Sequence, residues 1–512
     1  MKLSDRQKYR LLEIVPGALV WTTLVAAVIL SFVRPLWVIY FIVVFDVYWL
    51  IRIAYFAIFL ISSWRIYRRN IKIDWEKKAA ECPGSAKLFH LIFLPTTTES
   101  YEVLKTTLEA LASSAFPKKQ LIVVLPGEER FKEMFLPKAE RLLKEYEGVF
   151  KKIFVTLHTV APGELVGKSA NLSSSAREVR PKLAELGIPE EDIIVSSFDS
   201  DTVVHPQYFA HLTYTYCRTP NPNRSSYQPM VVYNNNIWDA PAALRVAAFG
   251  TTFWLMTELA RPEFMATFSS HSMPWKMLVD VGYWQTDITS EDSRIFLQGF
   301  VHYNGDYRVT PMYIPVSMDT VASDTYWGYL KGLYKQQRRW AWGVENFPYL
   351  AWEMRKKVRP DFPKGKKWFM IMRTLEGMYS WATAPILMFV LGRLPLYLTR
   401  GSVREIAFVQ NTPFTLQYVM TLAMVGTIIA MTLATRMLPP RPQAKKRWNW
   451  IVMIFQWALT PVTFVVFGSI PAIDAQTRLM LGGRFRLGFN VSEKARRPTE
   501  GVAVFSAVDL KK

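Results

Sequence analysis

Cys82 and Cys217 are the only cysteines in the chain. No disulfide framework can hold such a fold, and a reducing, cytosolic face is the expectation. Charge is sparse as well: 20% of the 512 residues are charged, beside 50% hydrophobic residues and a mean hydropathy of +0.08. That is too apolar for an ordinary soluble protein and too charged for a transporter that is mostly membrane. A sizeable soluble domain carried on a few transmembrane helices is predicted. Acidic residues are outnumbered, 42 against 62 Lys and Arg, for a net charge of +20. No DNA-binding motif accompanies that charge, which argues against a nucleic-acid partner. The basic residues cluster instead at the ends of apolar segments, as in "SWRIYRRNIK" (63–72), "EMRKKVRPDFPKGKK" (353–367) and "RPQAKKR" (441–447). This is the pattern of a positive-inside bias. A cleavable signal peptide is not expected either, because the first apolar stretch is too long for one and another follows at once.

The first two spans are expected at 15–32 and 36–61, a hairpin turned by "VRP", with both ends in the cytoplasm. Asp46 and Arg52 fall inside the second. Either Asp46 belongs to a polar path, or it is satisfied against a neighbouring helix while Arg52 snorkels. Residues 71–320 read as a soluble α/β domain. Apolar, β-branched runs recur at 87–95, 120–126, 152–158 and 192–201, with helical patterns at 100–116 and 169–186. That alternation predicts a parallel sheet covered by helices, with ligands beyond the carboxyl ends of the strands. Residues 321–377 are expected to form amphipathic helices on the membrane surface, Arg373 and Glu376 included. Further spans are expected at 378–398, 414–433 and 449–470, before a basic tail at 476–512. Three spans place that tail outside, whereas its composition reads as cytoplasmic; either the last segment, broken by Pro461, is re-entrant or doubles back, or an early span is miscounted.

Three patterns carry chemistry. "FDSD" (198–201) places Asp199 and Asp201 at a strand terminus, where two carboxylates can share Mg²⁺ or Mn²⁺. "TSEDSRIF" (289–296) places Glu291 and Asp292 at the start of a helical pattern. They serve there either as capping acids or as a general base. "KQQRRWAWG" (335–343) holds Gln336, Arg339 and Trp340, behind an apolar face of Trp327, Leu330, Leu333 and Tyr334. This stretch reads either as a headgroup-level helix or as an arginine for a diphosphate beside an aromatic face for a sugar.

The order D-x-D, E-D, Q-x-x-R-W, within an α/β domain between spans, resembles the processive membrane-bound family 2 glycosyltransferases. These are the cellulose, chitin and hyaluronan synthases and the related bacterial exopolysaccharide synthases. The resemblance covers roughly 85–365. It implies a GT-A-type, Rossmann-like cytoplasmic domain inserted between transmembrane helices of an integral protein of the cell (inner or plasma) membrane. "PTTTE" (95–99) resembles the family's P-T-Y-N-E, placing Thr96 and Glu99 near the nucleotide base. "GKSANL" (167–172) places Lys168 and Asn171 near the diphosphate. The resemblance further implies Asp199 and Asp201 on nucleotide and metal, Asp292 as base with Glu291 in support, and Gln336, Arg339 and Trp340 as acceptor and diphosphate clamp. "SSHSMPWKMLVDVGYW" (269–284) falls at the acceptor-side segment without its glycine, and "FNVSEK" (489–494) resembles a gating element. One element is missing: where the family has an acidic D-D-G-S-like stretch, this chain has "VVLPGEER" (123–130), with Glu128 or Glu129 as the available substitute.

The implied reaction is inverting transfer from a nucleotide-diphosphate sugar to a growing polysaccharide or oligosaccharide at the lipid surface. The rival readings are a polyprenyl-phosphate sugar transferase and a decayed scaffold of an export system.

Overall fold

The computed structural model describes residues 3–356, 360–442, 446 and 448–488; the "FNVSEK" stretch lies outside them. Among these residues eight strands form one sheet: β1 Phe89–Phe93, β2 Leu121–Glu128, β3 Lys152–His158, β4 Ile193–Ser197, β5 Val203–Val204, β6 Ser225–Tyr233, β7 His271–Pro274 and β8 Arg308–Met318. Their order is β3-β2-β1-β4-β7-β6-β8-β5. The first four are parallel, as the strand–helix alternation requires; β1, β2 and β4 are buried almost throughout, whereas β3, at the sheet edge, is mostly half-buried.

The other half departs from the expected parallel sheet. β7 is antiparallel to β4 and β6, and β5 is antiparallel to β8. β6 and β8 are parallel, but their register shifts between Pro229, opposite Met312, and Met230, opposite Pro315. Proline donates no ladder hydrogen bond, so the pairing must be irregular there.

β2 runs past the expected end at 126 because Gly127 and Glu128 pair with Leu157 and His158. Gly127 is demanded by packing: a Cβ on it would lie 2.4 Å from the ring of Phe135. Ser100 caps helix Tyr101–Ala112 by accepting the Val103 N–H. Gly167, at φ 150°, turns the chain so that Lys168 opens helix Lys168–Glu185 at the carboxyl edge of the sheet.

Among the described residues, four helices are long and apolar enough to cross a membrane: Asp5–Val33, Pro35–Asn70, Ala407–Met437 and Asn449–Leu481. A bent pair, Lys364–Phe389 and Leu391–Leu398, meets at 48°. Helix 407–437 runs alongside helix 35–70 in the same direction. Phe408 stacks on Tyr40 at 4.4 Å, and Gly426 faces Ile53. The chain then returns to the sheet, where Trp238 donates to the Pro439 carbonyl at 3.0 Å.

Two expectations change here. Residues 364–377 are continuous with residues 378–389 in one helix, and Arg373 and Glu376 turn toward protein partners. Arg373 pairs with Glu258 at 3.1 Å, and Glu376 with Arg52 at 2.6 Å, so Arg52 does not snorkel. Helix 449–481 meets the sheet-bearing region at both ends. Gln456 accepts from Arg245 at 2.5 Å, whereas Asp474 pairs with Arg338 at 2.9 Å. Near that second end Arg10, at the start of the first helix, donates to the Leu479 carbonyl at 2.7 Å.

Candidate active site

The carboxyl ends of β1, β2 and β4 open into a cavity of about 1240 Å³. Its polar centre is Lys168. Its ammonium lies 2.8 Å from Asp199 Oδ1, 3.2 Å from Glu291 Oε1 and 3.0 Å from Asp292 Oδ1. Three carboxylates from two distant segments thus converge on one cation at the N-terminus of an 18-residue helix, where exposed N–H groups also favour anions. Burial works against the lysine charge, but Asp199, Asp292 and Glu291 together hold its pKa well above that of an ordinary lysine. Burial, and then the charge of Asp292, raises Glu291 above the usual carboxylate range.

Asp199 also accepts from Ser269 Oγ at 3.0 Å. Asp201 is buried, and its Oδ2 accepts the backbone N–H of Asp319 at 2.9 Å. Both aspartates line the cavity, but no cluster of three or more His, Cys, Asp or Glu residues suited to a metal occurs among the described residues. The protein thus offers two carboxylates rather than a cage. That suits Mg²⁺ or Mn²⁺ completed by substrate phosphates.

Glu291 and Asp292 open helix Glu291–His302. Ser290 does not cap that helix, since its hydroxyl donates to Glu345 at 2.7 Å. The backbone carbonyl of Asp292 accepts from Thr267. His271 lies beneath, fully buried, with Nδ1 2.8 Å from the Phe268 carbonyl and 3.9 Å from Asp292 Oδ1. Burial lowers its pKa and keeps it neutral.

Gln336, Arg339 and Trp340 line the same cavity from helix Tyr326–Ala341. The indole of Trp340 packs against Tyr233 (5.7 Å) and Phe268 (6.0 Å). On that helix Leu333 is buried, whereas Trp327, expected on the same apolar face, is exposed. Glu99 and Asn171 line the opposite end, where Asn171 donates to the Pro126 carbonyl at 3.1 Å. Thr96 does not reach the cavity: its hydroxyl turns back to the Leu94 carbonyl at 3.0 Å. Thr97 takes that place, donating from its backbone N–H to Glu99 at 2.6 Å.

Of the two substitute carboxylates, Glu128 lines the cavity and Glu129 pairs with Lys132. Sequence reasoning singled out neither Tyr233, Ser269, His271 nor Thr267 by number, although the flagged 269–284 segment contains two of them. Asp46 also lines the cavity, at its far end, and its Oδ1 has no hydrogen-bond partner among the described residues.

The profile of glycosyl transferase family group 2 matches residues 194–470, more than half of the chain. The chain belongs to that family, and it is a glycosyltransferase. Similar solved structures include the mannosyltransferase PcManGT from Pyrobaculum calidifontis, in complex with GDP-Man and Mn²⁺. It is 14% identical, with a TM-score of 0.41, over 83% of this chain and 97% of that one. Residues 1–349 of S. aureus TarS, in complex with UDP-GlcNAc, are 11% identical, with a TM-score of 0.38, over 69% and 93%. No curated protein matches the chain.

Proposed function

We propose that the protein is an inverting, GT-A-type transferase that moves a sugar from a nucleotide-diphosphate donor to an acceptor presented at the membrane face. The observation that carries this reading is the convergence of Asp199, Glu291 and Asp292 on Lys168, in a cavity also lined by Arg339 and Trp340. The nucleotide lies toward Thr97, Glu99 and Glu128, and its diphosphate meets Lys168, Arg339 and the helix N-terminus. Asp199 and Asp201 would hold Mg²⁺ or Mn²⁺, which neutralises charge on the leaving phosphates when bound. Asp292 takes the proton of the acceptor hydroxyl. That oxygen then bonds to the anomeric carbon as the carbon–phosphate oxygen bond breaks on the opposite face, and the nucleotide diphosphate leaves with the electron pair.

The sequence resemblance makes the acceptor a growing polysaccharide whose terminal sugar stacks on Trp340, with secretion coupled to elongation. A lipid-linked acceptor is the second reading, favoured by the apolar walls of the membrane-side half of the cavity. For topology, four crossings (helices 5–33, 35–70, the bent 364–398 and 407–437) leave both termini and the catalytic domain in the cytoplasm. Helix 449–481 then follows the cytoplasmic boundary of the lipid, consistent with contacts to the sheet-bearing region at both of its ends.

Purified protein in nanodiscs, given a panel of nucleotide sugars with Mg²⁺ or Mn²⁺, is expected to release free nucleotide diphosphate from one donor. Asp292→Asn should lower that release by roughly 10²–10⁴-fold without unfolding the protein. Equal release by the variant removes Asp292 from the chemistry.

A further inference from the structure

Behind the wall that carries Glu291 and Asp292 lies a carboxylate that the mechanism does not use. Glu345 ends the 3₁₀ turn Trp342–Glu345. That turn joins helix Tyr326–Ala341, bearer of Gln336, Arg339 and Trp340, to helix Asn346–Lys356. Gly343 and Asn346 line the cavity, whereas Glu345 does not. Its two oxygens accept from opposite sides. Oε2 takes the indole N–H of Trp342 at 2.9 Å, and Oε1 takes the Ser290 hydroxyl at 2.7 Å and the Thr289 backbone N–H at 3.3 Å. Asn346 grips the other flank of the acidic pair. Its side-chain oxygen accepts from Arg294 Nε at 2.7 Å, and its amide donates to the Ser293 hydroxyl at 2.8 Å. Thr289, Ser290, Ser293 and Arg294 bracket Glu291 and Asp292, and one dipeptide holds all four.

The far end of this link is anchored. The ring of Trp342 is only 2% exposed, in a core shared with Val20 and Leu24 of helix 5–33, Ala382 of helix 364–389 and Ala475 of helix 449–481. A carboxylate accepts at both oxygens and donates nothing, so it satisfies converging N–H and O–H donors that an amide of the same size would have to choose between. Ser290 stands where a helix cap is expected, yet its hydroxyl goes to Glu345 instead. The turn that carries the two acids therefore takes its position from Glu345 rather than from its own helix.

We propose that Glu345 is a positioning residue: it fixes the turn bearing Glu291 and Asp292 against the helix bearing Arg339 and Trp340, so that base and acceptor platform keep one separation. The proposal rests on the transferase reading above and deepens it. A displacement of about 1 Å at a reacting centre can lower the rate roughly 10²-fold, which is the scale on which such a brace matters.

The full chain in nanodiscs is assayed for nucleotide diphosphate release from the nucleotide sugar that the native protein turns over. The free disaccharide and the octyl glycoside of the same sugar serve as acceptor probes. Glu345→Ala is expected to lower kcat roughly 10²-fold with donor KM within about twofold. Glu345→Gln, which keeps partners for Trp342 and Ser290, should recover most of that loss. The combined loss from Glu345→Ala and Trp340→Ala should fall short of the product of the single losses by roughly tenfold, because the platform can be uncoupled from the base only once. Hydrogen–deuterium exchange, which needs no substrate, should rise at 288–294 in Glu345→Ala while strands 121–128 and 193–197 keep native protection. Losses that multiply, or a native kcat in folded Glu345→Ala with a lowered Tm alone, overturn the positioning role. Where Glu345→Ala fails to fold, Ser290→Ala breaks the same link from the other end; a native kcat in that variant overturns the role equally. Unchanged exchange at 288–294 overturns the brace whatever the activity. Raised exchange there, with no release by the native protein from any donor, overturns the transferase reading alone.

Discussion

Lys168→Met tests whether one ammonium holds the site together. In the native protein Lys168 is 13% exposed and lies within 3.2 Å of Asp199, Glu291 and Asp292. Three carboxylates that near to one point lie within about 6 Å of each other. At an effective dielectric constant near 20 each pair then repels by roughly 3 kcal/mol. Removing the cation from such a cluster should cost about 3–5 kcal/mol at pH 8, the range for breaking a buried pair.

Protonation offers an escape at lower pH. Glu291 is already raised above the ordinary carboxylate range by burial and by Asp292, and loss of the lysine raises it further. A carboxyl with a raised folded-state pKa binds its proton more tightly when folded. Its stabilising effect is therefore present at low pH and is lost as pH rises from the unfolded value through the folded one. At pH 5 protonating one glutamate costs only about 1 kcal/mol, so most of the variant's deficit should vanish there. The lysine, whose folded pKa is also raised, stays charged across both conditions in the native protein. Tryptophan-fluorescence melts in nanodiscs should show Tm roughly 5–10 °C below native at pH 8 and near native at pH 5. An equal deficit at both pH values, or none at pH 8, refutes the account.

Glu291→Gln removes a carboxyl that burial and the Asp292 charge hold above the ordinary range, so a limb of the kcat/KM profile for nucleotide release set by that carboxyl should disappear. A limb that persists in the variant dissociates Glu291 from the profile. Trp340→Ala should raise acceptor KM roughly tenfold while leaving donor KM within about twofold, because stacking contributes about 1–2 kcal/mol; initial-rate kinetics with each substrate varied separates the two. Chelation with EDTA should abolish nucleotide release, and Mg²⁺ or Mn²⁺ should restore it. Asp201→Asn should raise the metal concentration needed for half-maximal activity.

Where sequence chemistry and strand periodicity agreed, the residues singled out from sequence fall in one place. Asp199, Asp201, Glu291, Asp292 and Arg339 bear charge next to apolar runs that must be strands or helices, and these residues do line one cavity. Glu128 was harder to read because Pro126-Gly127 looks like a turn, yet the pairing with β3 keeps the chain extended and brings that carboxylate to the cavity wall. Thr96 and Thr97 differ only in which side of an extended segment they occupy, and a one-residue ambiguity reverses the answer. Tyr233 and His271 carry no local signal. One ends a strand containing proline and the other begins a strand of four residues, and only the antiparallel half of the sheet brings them beside Trp340 and Asp292.

The membrane layout was least legible, for a physical reason. Hydropathy reports that a segment avoids water; it does not report what replaces the water. Helix 449–481 is apolar enough to cross lipid, yet one face is spent on protein. Trp457 packs against Phe249 and Phe253, Phe464 faces Gly250, and the Ser469 hydroxyl donates to the Trp381 carbonyl at 3.1 Å. The partner helix Ala242–Leu259 is itself nearly devoid of charge, because it is buried between the sheet and the apolar helices. Pro461 and the π-helical turn at Val465–Ser469 let the segment follow that surface. An odd number of apolar segments is therefore compatible with the even number of crossings proposed above. The same packing makes this helix a wall of the cavity, so the element that misleads the span count is also one that shapes the candidate site.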